Sequence, residues 1–466
     1  MTPATRHGDD ANETAALPIE GLSWISIIRL GLVQSALGAV VVLATSTLNR
    51  VMVVELSLAA TIPGALVGLH YAVQLLRPLW GYGSDQGGRR TPWIAGGIAL
   101  LALAGTLAAL AILVMSGHFI AGLLLAILAF VLIGFGVGAA GTSLLALLAT
   151  HVAPQRRAAV ATIVWLMMIA GMVVTAIVAG SMLDPFSFQR LVTVTAAVGI
   201  FAFFVTLLAI WGVEGSARSL GHSAHGRKRA HLDSLSSFRQ ALGEAWREPQ
   251  ARLFTIFVFV SMLAYNAQDL ILEPFGGLVF GMTPGETTRL AGLQHAGVFT
   301  GMALAGILGS AIAKRWPPIL MVLTVGGCLG SALALFGLAL SARLPEIWPL
   351  KMNIMALGAA NGVFAVAAIG SMMALAGQGR QSREGLRMGL WGAAHAIAFG
   401  LGGFGGTVAV DLFRLTTGEA ASAYGTVFAL EGGLFLLSSV LALRIAPASA
   451  ATPMTGERAD SAIHTA

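Results

Sequence analysis

The sequence predicts an all-α membrane protein with about twelve transmembrane helices in two six-helix halves. Only 10% of its 466 residues are charged and 56% are hydrophobic, with a mean hydropathy of +0.83. A soluble domain carries about 25% charged residues, so most of this exterior must face lipid. Apolar runs of roughly 20 residues, long enough to cross a hydrocarbon core of about 30 Å, recur along the whole chain. The 58 glycines allow the close helix packing that is typical of membrane bundles.

The apolar runs between polar turns define the predicted spans and the domain organisation. We predict spans at residues 25–48, 62–80, 93–115, 119–148, 158–181, 190–212, 253–275, 289–312, 318–342, 346–376, 386–409 and 423–445. The predicted organisation is a disordered cytoplasmic tail, an N-terminal half, a linker, a C-terminal half and a second disordered tail: 1–24, 25–212, 213–252, 253–445 and 446–466.

Basic residues in the loops predict the orientation of the chain in a bacterial inner membrane. The loops that follow the even-numbered spans hold 16 Lys and Arg residues, and the opposite loops hold 6. Because basic loops stay in the cytoplasm, both termini are predicted to be cytoplasmic. The net charge of +6 therefore reflects loops beside the bilayer, and nucleic-acid binding is not predicted.

The two halves resemble each other at nearly one sequence offset. A shift of 225 residues places His70 on His295, and residues 89–92 on residues 314–317. A shift of 226 places Trp165 on Trp391. Matches in corresponding spans are expected of parallel repeats related by an axis along the membrane normal.

The linker contains apolar residues at helical spacing, such as Leu235, Phe238 and Leu242. Asp233 is a candidate N-cap and Pro249 a candidate stop, which predicts an amphipathic helix on the cytoplasmic leaflet. Docking of a partner protein on this segment is the alternative interpretation.

A loop after the second span resembles the signature GxxxDxxGRR of the major facilitator superfamily. It reads GYGSDQGGRR, and the residues that match are Gly81, Asp85, Gly88, Arg89 and Arg90. Glycine permits a tight turn, and Asp85 can accept hydrogen bonds from a nearby helix N-terminus or an arginine. The resemblance implies a major facilitator fold with a conformational motif in this loop.

Polar groups within spans are costly and are therefore candidate functional residues. Six of these polar residues share a helix face, three in span 2 and three in span 7. Three more cluster near the outer end of span 1, and two histidines are isolated. The face in span 2 is His70, Gln74 and Arg77; the face in span 7 is Asn266, Asp269 and Glu273; the outer cluster is Asn49, Arg50 and Glu55; His295 and His395 are isolated. Structural ion pairs, a snorkelling Arg77 and hydrogen-bonded packing histidines are the alternatives.

Motifs of soluble enzymes are missing from the sequence. It contains no GxxxxGK[ST] loop, CxxC, HExxH or nucleophile elbow. We therefore predict neither an ATP-driven pump nor an enzyme.

Three segments resemble the PucC/LhaA, or bacteriochlorophyll delivery, branch of the major facilitator superfamily. They are TLNRVMVVEL from Thr47, HYAVQLLRPLWGYGSDQGGRRTPWI from His70, and QDLILEPFGG from Gln268. The opening IRLGLVQSALGAVVVL from Ile28 is most similar to the branch described as a bacteriochlorophyll synthase subunit.

The resemblance implies a role in photosynthesis, as an assembly factor in the intracytoplasmic membrane of a phototrophic bacterium. Its implied cargo is bacteriochlorophyll a, and its implied partners are light-harvesting polypeptides or bacteriochlorophyll synthase. A neutral imidazole can be the axial ligand of the pigment magnesium, so His70, His295 and His395 are candidate ligands, with Gln74 and Arg77 beside the first. Asp-rich prenyltransferase motifs are missing, which argues against catalysis by this chain.

One alternative from a different class is a proton-coupled secondary transporter of a small molecule. Asp269 and Glu273 would then be the coupling carboxylates.

Overall fold

The computed structural model describes residues 22–76, 89–153, 156–214, 246–312, 315–316, 318–376 and 384–445. These residues form twelve long helices, which we number in chain order. They are α1 Trp24–Val54, α2 Thr61–Leu76, α3 Thr91–Met115, α4 Phe119–His151, α5 Arg157–Met182, α6 Phe188–Ile210, α7 Pro249–Phe280, α8 Pro284–Ile312, α9 Ile319–Ser341, α10 Leu350–Ala376, α11 Glu384–Thr417 and α12 Ala420–Arg444.

Eleven of these helices are long and apolar enough to cross a membrane, and α2 is apolar but shorter in its described part. This confirms the predicted fold class. The boundaries agree closely for most spans. The exceptions are α1, which continues beyond its predicted end at residue 48, α7, which extends past both predicted ends, and α11, which continues to Thr417 beyond its predicted end at residue 409.

Residues 246–247 are helical and are followed by a bend at Glu248, and Pro249 then opens α7. The first turn of a helix has no intrahelical partners for its N–H groups, so proline is well suited there. The rest of the predicted amphipathic segment, residues 215–245, lies outside the described residues. At its other end, α7 closes on Gly281, whose positive φ of 65° is the left-handed conformation that glycine favours.

Each set of six helices encloses its own hydrophobic core. In the first set, α1 packs on α5 and α6, and α3 packs on α4 and α6. In the second set, α7 packs on α11 and α12, and α9 packs on α10 and α12. The second pattern is the first with six added to every helix number, as expected of two repeats.

The contacts between the sets also come in a symmetric pair: α5 packs on α8, and α2 packs on α11. The end of α1 joins them by packing on α7 and α8. Residues of α5, α8 and α10 form a small third apolar cluster, around Ile169, Val298 and Met302. The interior between the halves is therefore bordered by α1, α2 and α5 on one side, and α7, α8 and α11 on the other.

Two aspartates join the halves at the outer end of the bundle, which the loop charges predict to be periplasmic. Asp411, near the end of α11, accepts hydrogen bonds from the backbone N–H groups of Ala60 and Thr61 at 3.0 and 2.7 Å. Asp184, just after α5, accepts from the N–H of Gly285 and pairs with Arg289, both at 3.3 Å. Carboxylates at helix N-termini satisfy unpaired N–H groups and the helix dipole, so α2 and α8 are each held by the opposite half.

Candidate functional site

The outer polar cluster lies where the end of α1 meets α7. Asn49 donates its side-chain N–H to the carbonyl of Leu270 at 2.6 Å. Arg50 is buried and forms an ion pair with Glu55, and it also donates to the carbonyl of Met282 at 2.7 Å. The buried Glu273 lies on α7, about one turn after Leu270. Two of the three segments that suggested the family, residues 47–56 and 268–277, are therefore one contact surface.

A π-helical turn, Leu43–Thr47, directs this part of α1 toward the other half. The wider turn changes the register of the residues that follow it, and such turns occur frequently at functional sites. Thr47 then lies 3.0 Å from Thr288 of α8, hydroxyl to hydroxyl.

The central site lies deeper in the membrane, around the inner face of α7. Asp269 is partly exposed, and its carboxylate accepts a hydrogen bond from Gln294 of α8 at 3.4 Å. Glu431 of α12 is buried and lies close enough to Asp269 for their charges to interact. Tyr265, one turn before Asp269, completes this face of α7.

His295 follows Gln294 and belongs to the central site. It lies seven residues after Thr288, on the face of α8 that meets α1, and its side chain is partly exposed. Its Nδ1 is 2.8 Å from the carbonyl oxygen of Ala291. Because a carbonyl oxygen only accepts, Nδ1 must carry the proton. The lone pair of a neutral His295 is then on Nε2.

Aromatic rings form the opposite part of the central site. His395 and Tyr265 both stack on Phe399, with ring centroids 4.5 and 5.9 Å apart and interplanar angles of 16° and 28°. Tyr71 of α2 meets Phe399 edge to face at 6.2 Å. The side-chain amide of Asn266 donates to the Phe399 carbonyl and so fixes α11 against α7.

The predicted polar face of span 2 is only partly described. His70 and Gln74 are buried, and the Gln74 amide donates to Nε2 of His70 at 2.9 Å. That nitrogen is therefore already hydrogen-bonded. Arg77 lies outside the described residues.

The predicted conformational motif is described only at its end, since Gly81, Asp85 and Gly88 lie outside the described residues. Arg89 is exposed. Arg90 donates to the carbonyl of Ala146 and the hydroxyl of Thr150, both at 2.6 Å, and so joins the start of α3 to the end of α4.

Sequence reasoning did not identify Glu431, Asp411 or Glu214. Glu214 caps the start of α3 by accepting from the backbone N–H groups of Arg90 and Thr91. Each of these acids has its partner on a distant segment, so the residue spacing along its own helix does not indicate that it is functional. The only signal available was the cost of a carboxylate within an apolar run, which applies to Glu431.

Solved structures establish the class of protein. The chain matches the crystal structure of a D-xylose–proton symporter with a TM-score of 0.66 at 13% identity, covering 91% of this chain and 98% of the symporter. It matches the inward-open xylose transporter from E. coli with a TM-score of 0.65 at 14% identity, covering 90% of this chain and 96% of that structure. The twelve helices therefore have the major facilitator fold.

Sequence relatives identify the family within that fold. The family described as PUCC protein matches residues 47–450. The chain is 51% identical to the "Bacteriochlorophyll synthase 44.5 kDa chain" of Rhodobacter capsulatus, over 94% of this chain and all of that protein. It is 31% identical to "Protein PucC" of Cereibacter sphaeroides, over 90% of this chain and 91% of that protein. This multi-pass membrane protein belongs to the PucC family, which confirms the resemblance seen in its motifs.

Proposed function

We propose that this protein binds bacteriochlorophyll within the membrane and delivers it for the assembly of light-harvesting complexes, without catalysing a reaction itself. Membership of the PucC family supports this proposal, as does a relative named for bacteriochlorophyll synthase. The major facilitator fold supplies an interior between two halves in which a cargo can be held.

The observation that carries the proposal is the state of His295 in the central site. A pigment magnesium takes an axial ligand, and neutral imidazole is a suitable one. The hydrogen bond from Nδ1 to Ala291 fixes both the tautomer and the orientation of the ring, and it leaves Nε2 with a lone pair. A carbonyl partner of this kind also raises the basicity of a metal-ligating histidine.

The aromatic side of the central site suits the rest of the macrocycle. The nearly parallel rings of Tyr265, Phe399 and His395 offer flat, apolar faces against which a planar pigment can stack. His395 is a second candidate ligand. His70 is a weaker one, because it is buried and Gln74 occupies its Nε2.

The proposed partners are the proteins that give up and receive the pigment. A multi-pass protein can exchange an apolar cargo within the bilayer, so bacteriochlorophyll synthase as donor and light-harvesting polypeptides as acceptors fit this role. The proposed location is the intracytoplasmic membrane of a phototrophic bacterium.

The visible and near-infrared spectrum of gently purified protein tests the proposal. We expect bacteriochlorophyll absorbance to co-purify, and His295→Ala to weaken pigment binding about tenfold, equivalent to roughly 1.4 kcal/mol. His118→Ala is the matched control, since His118 is exposed in the loop before α4. Colourless protein that takes up no added pigment would contradict the proposal.

The family relatives support pigment delivery and not the alternative of proton-coupled transport of a small molecule, for which Asp269, partly exposed in the central site, would be a coupling carboxylate. That alternative predicts substrate-dependent proton flux in proteoliposomes that is lost in Asp269→Asn. If a broad panel of solutes produces no flux, this candidate fails.

A further inference from the structure

Three arginines at the inner end of the first half form no ion pair among the described residues. They are Arg29 near the start of α1, Arg156 just before α5 and Arg157 at its first position. The side chains of Arg156 and Arg157 are exposed, and that of Arg29 is partly exposed. At the outer end, by contrast, Arg50 and Arg289 are each paired with a carboxylate. The inner end of α1 and α5 therefore carries positive charge that the described side chains do not balance.

Two of these arginines are held in place without being neutralised. One terminal nitrogen of Arg29 donates to the carbonyl of Leu208, at 3.1 Å, and to that of Trp211. These carbonyls end α6, where the helix dipole favours a cation. The other two guanidinium nitrogens of Arg29 have no acceptor among the described residues. The Arg156 guanidinium lies over the ring of Trp24, 5.5 Å from its centroid, in a cation–π contact.

Exposed apolar side chains continue from these arginines toward the middle of the bilayer. Helix α1 packs on α5 on one side and on α6 on the other. Arg29 lies four residues after Ile25 and three before Leu32, so the three side chains share one face of α1. The hydrogen bonds of Arg29 place this face beside the end of α6. The surface, which we call the inner groove, consists of the exposed Ile25, Ile28 and Leu32 of α1 and Phe201, Phe204, Leu208 and Trp211 of α6.

The two held arginines stand at opposite edges of the inner groove. Trp24 and Arg29 are separated by about 140° around α1, and Ile25 and Ile28 lie in the arc between them. Arg156 reaches the Trp24 edge from α5, and Arg29 joins the other edge to α6. Both guanidinium groups therefore border the inner end of the same groove.

We propose that the inner groove binds an anionic phospholipid, whose phosphate pairs with Arg29 and Arg156 and whose acyl chains lie along α1 and α6. A planar guanidinium group matches a phosphate through two parallel hydrogen bonds. The inner end is predicted to be cytoplasmic, and the leaflet on that side attracts basic groups through its anionic lipids. Trp24 and Trp211 flank the site at the helix ends, the level of the headgroups at which tryptophan is favoured.

The start of α5 adds to the attraction for a phosphate. Its first turn contains no acidic residue, and the side chain at its N-cap, Arg156, forms no capping hydrogen bond. A helix N-terminus favours an anion, and here arginine occupies both the N-cap and the first helical position. A soluble anion would use these polar groups alone, whereas a lipid also covers the apolar strip beside them. The site therefore fits a lipid phosphate better than a free one.

Three ligands separate headgroup charge from acyl chains: phosphatidylglycerol, phosphatidylcholine with the same chains, and inorganic phosphate. Native mass spectrometry of the purified full-length protein measures the affinity for each lipid. We expect phosphatidylglycerol to bind at least about tenfold more tightly than phosphatidylcholine, and an equal concentration of phosphate not to displace it. Equal binding of the two lipids would indicate nonspecific lipid contact and overturn the proposal. Displacement by phosphate would indicate an anion site without lipid recognition and overturn it as well.

Neutral variants test the two arginines directly. Arg29→Gln and Arg156→Gln should each weaken phosphatidylglycerol binding about fivefold and leave phosphatidylcholine binding unchanged. Arg156→Lys keeps the charge and should retain most of the affinity. Arg444→Gln is the matched control, because Arg444 is exposed at the end of α12, the counterpart of α6 in the second half.

Thermal unfolding without added lipid verifies that each variant is folded. Unchanged phosphatidylglycerol affinity in both Arg29→Gln and Arg156→Gln would refute the proposed site. An equal loss in Arg444→Gln would refute it too, because the effect would then come from the general charge of the inner end.

Discussion

Arg50 illustrates how one side chain can organise the outer end of the bundle. It contacts the carboxylate of Glu55, just after its own helix, and the Met282 carbonyl beyond α7. A buried ion that loses its partner keeps its desolvation cost, so these contacts are worth more together than a surface ion pair.

Replacing Arg50 by methionine should therefore destabilise the protein by about 1–3 kcal/mol, because it leaves the Glu55 carboxylate and the Met282 carbonyl without their donor. The measurement is the apparent unfolding temperature in detergent. Arg343→Met is the matched control, since Arg343 is exposed between α9 and α10. Its loss should cost less than about 1 kcal/mol. Equal effects of the two substitutions would contradict this account.

At the residue scale, the sequence identified candidate polar residues but did not predict which residues they contact. Asn49 and Arg50 could be named from their polarity within apolar runs, but their hydrogen bonds to Leu270 and Met282 join segments more than 200 residues apart. His70 and His295 are equivalent in the repeat, and only the structure distinguishes them, through the bonds to Gln74 and Ala291. Glu431 was missed for the same reason, since its neighbour Asp269 is on another helix.

At the scale of elements, α8 and α10 pack backbone to backbone through four glycines. A Cβ at any of these positions would meet a carbonyl oxygen of the other helix. The distances are 2.3 Å for Gly297, 2.0 Å for Gly301, 2.1 Å for Gly358 and 2.2 Å for Gly362. His295 therefore lies on α8, whose position is fixed by direct backbone contact with α10.

Gly301→Ala should force α8 and α10 apart and destabilise the protein by about 1–3 kcal/mol. Gly306→Ala is the matched control on the same helix, because a Cβ there meets nothing within 4 Å. It should be neutral or stabilising by up to about 1 kcal/mol. Thermal unfolding of both variants in one detergent tests this difference in sign.

The N-terminus of α2 depends on a carboxylate from the other half. Asp411→Ala removes the acceptor for the N–H groups of Ala60 and Thr61 and for the Thr61 hydroxyl. We expect a loss of about 1–2 kcal/mol, as for other helix caps. Glu346→Ala, at an exposed position between α9 and α10, is the control, and hydrogen exchange at the start of α2 should increase only in Asp411→Ala.

Helix existence could be predicted because the length of an apolar run is set by the bilayer thickness. The ends of α1 and α7 could not, since they depend on contacts outside the run. Thus α1 continues through Arg50 because the other half satisfies its polar groups, and α7 begins at Pro249 because a first turn tolerates proline. The π-helical turn at Leu43–Thr47 has no apolar signature at all.

At the scale of the whole molecule, the two halves are tied together most firmly at the outer end. Asp411 and Asp184 form a symmetric pair of hydrogen-bonded contacts between the halves. Asn49 and Thr47 of α1 form two further hydrogen bonds to the second half. The inner part of α1, from Trp24 to Val42, packs instead on α5 and α6 of its own half. The central site is therefore covered at the outer end, and delivery from the inner end or from the bilayer requires no opening there.

A disulfide across the outer end tests this closure. The Thr47 and Thr288 hydroxyls are 3.0 Å apart, so Thr47→Cys combined with Thr288→Cys places two thiols within bonding reach. We expect mild oxidation to cross-link the halves and pigment loading to remain as it is in the reduced protein. The single Thr47→Cys variant controls for bonds between molecules, and the native Cys328 is buried away from solvent. A transporter that must open outward would be locked by the same bond, so loading that is lost on oxidation and restored by a reductant would contradict the closed outer end.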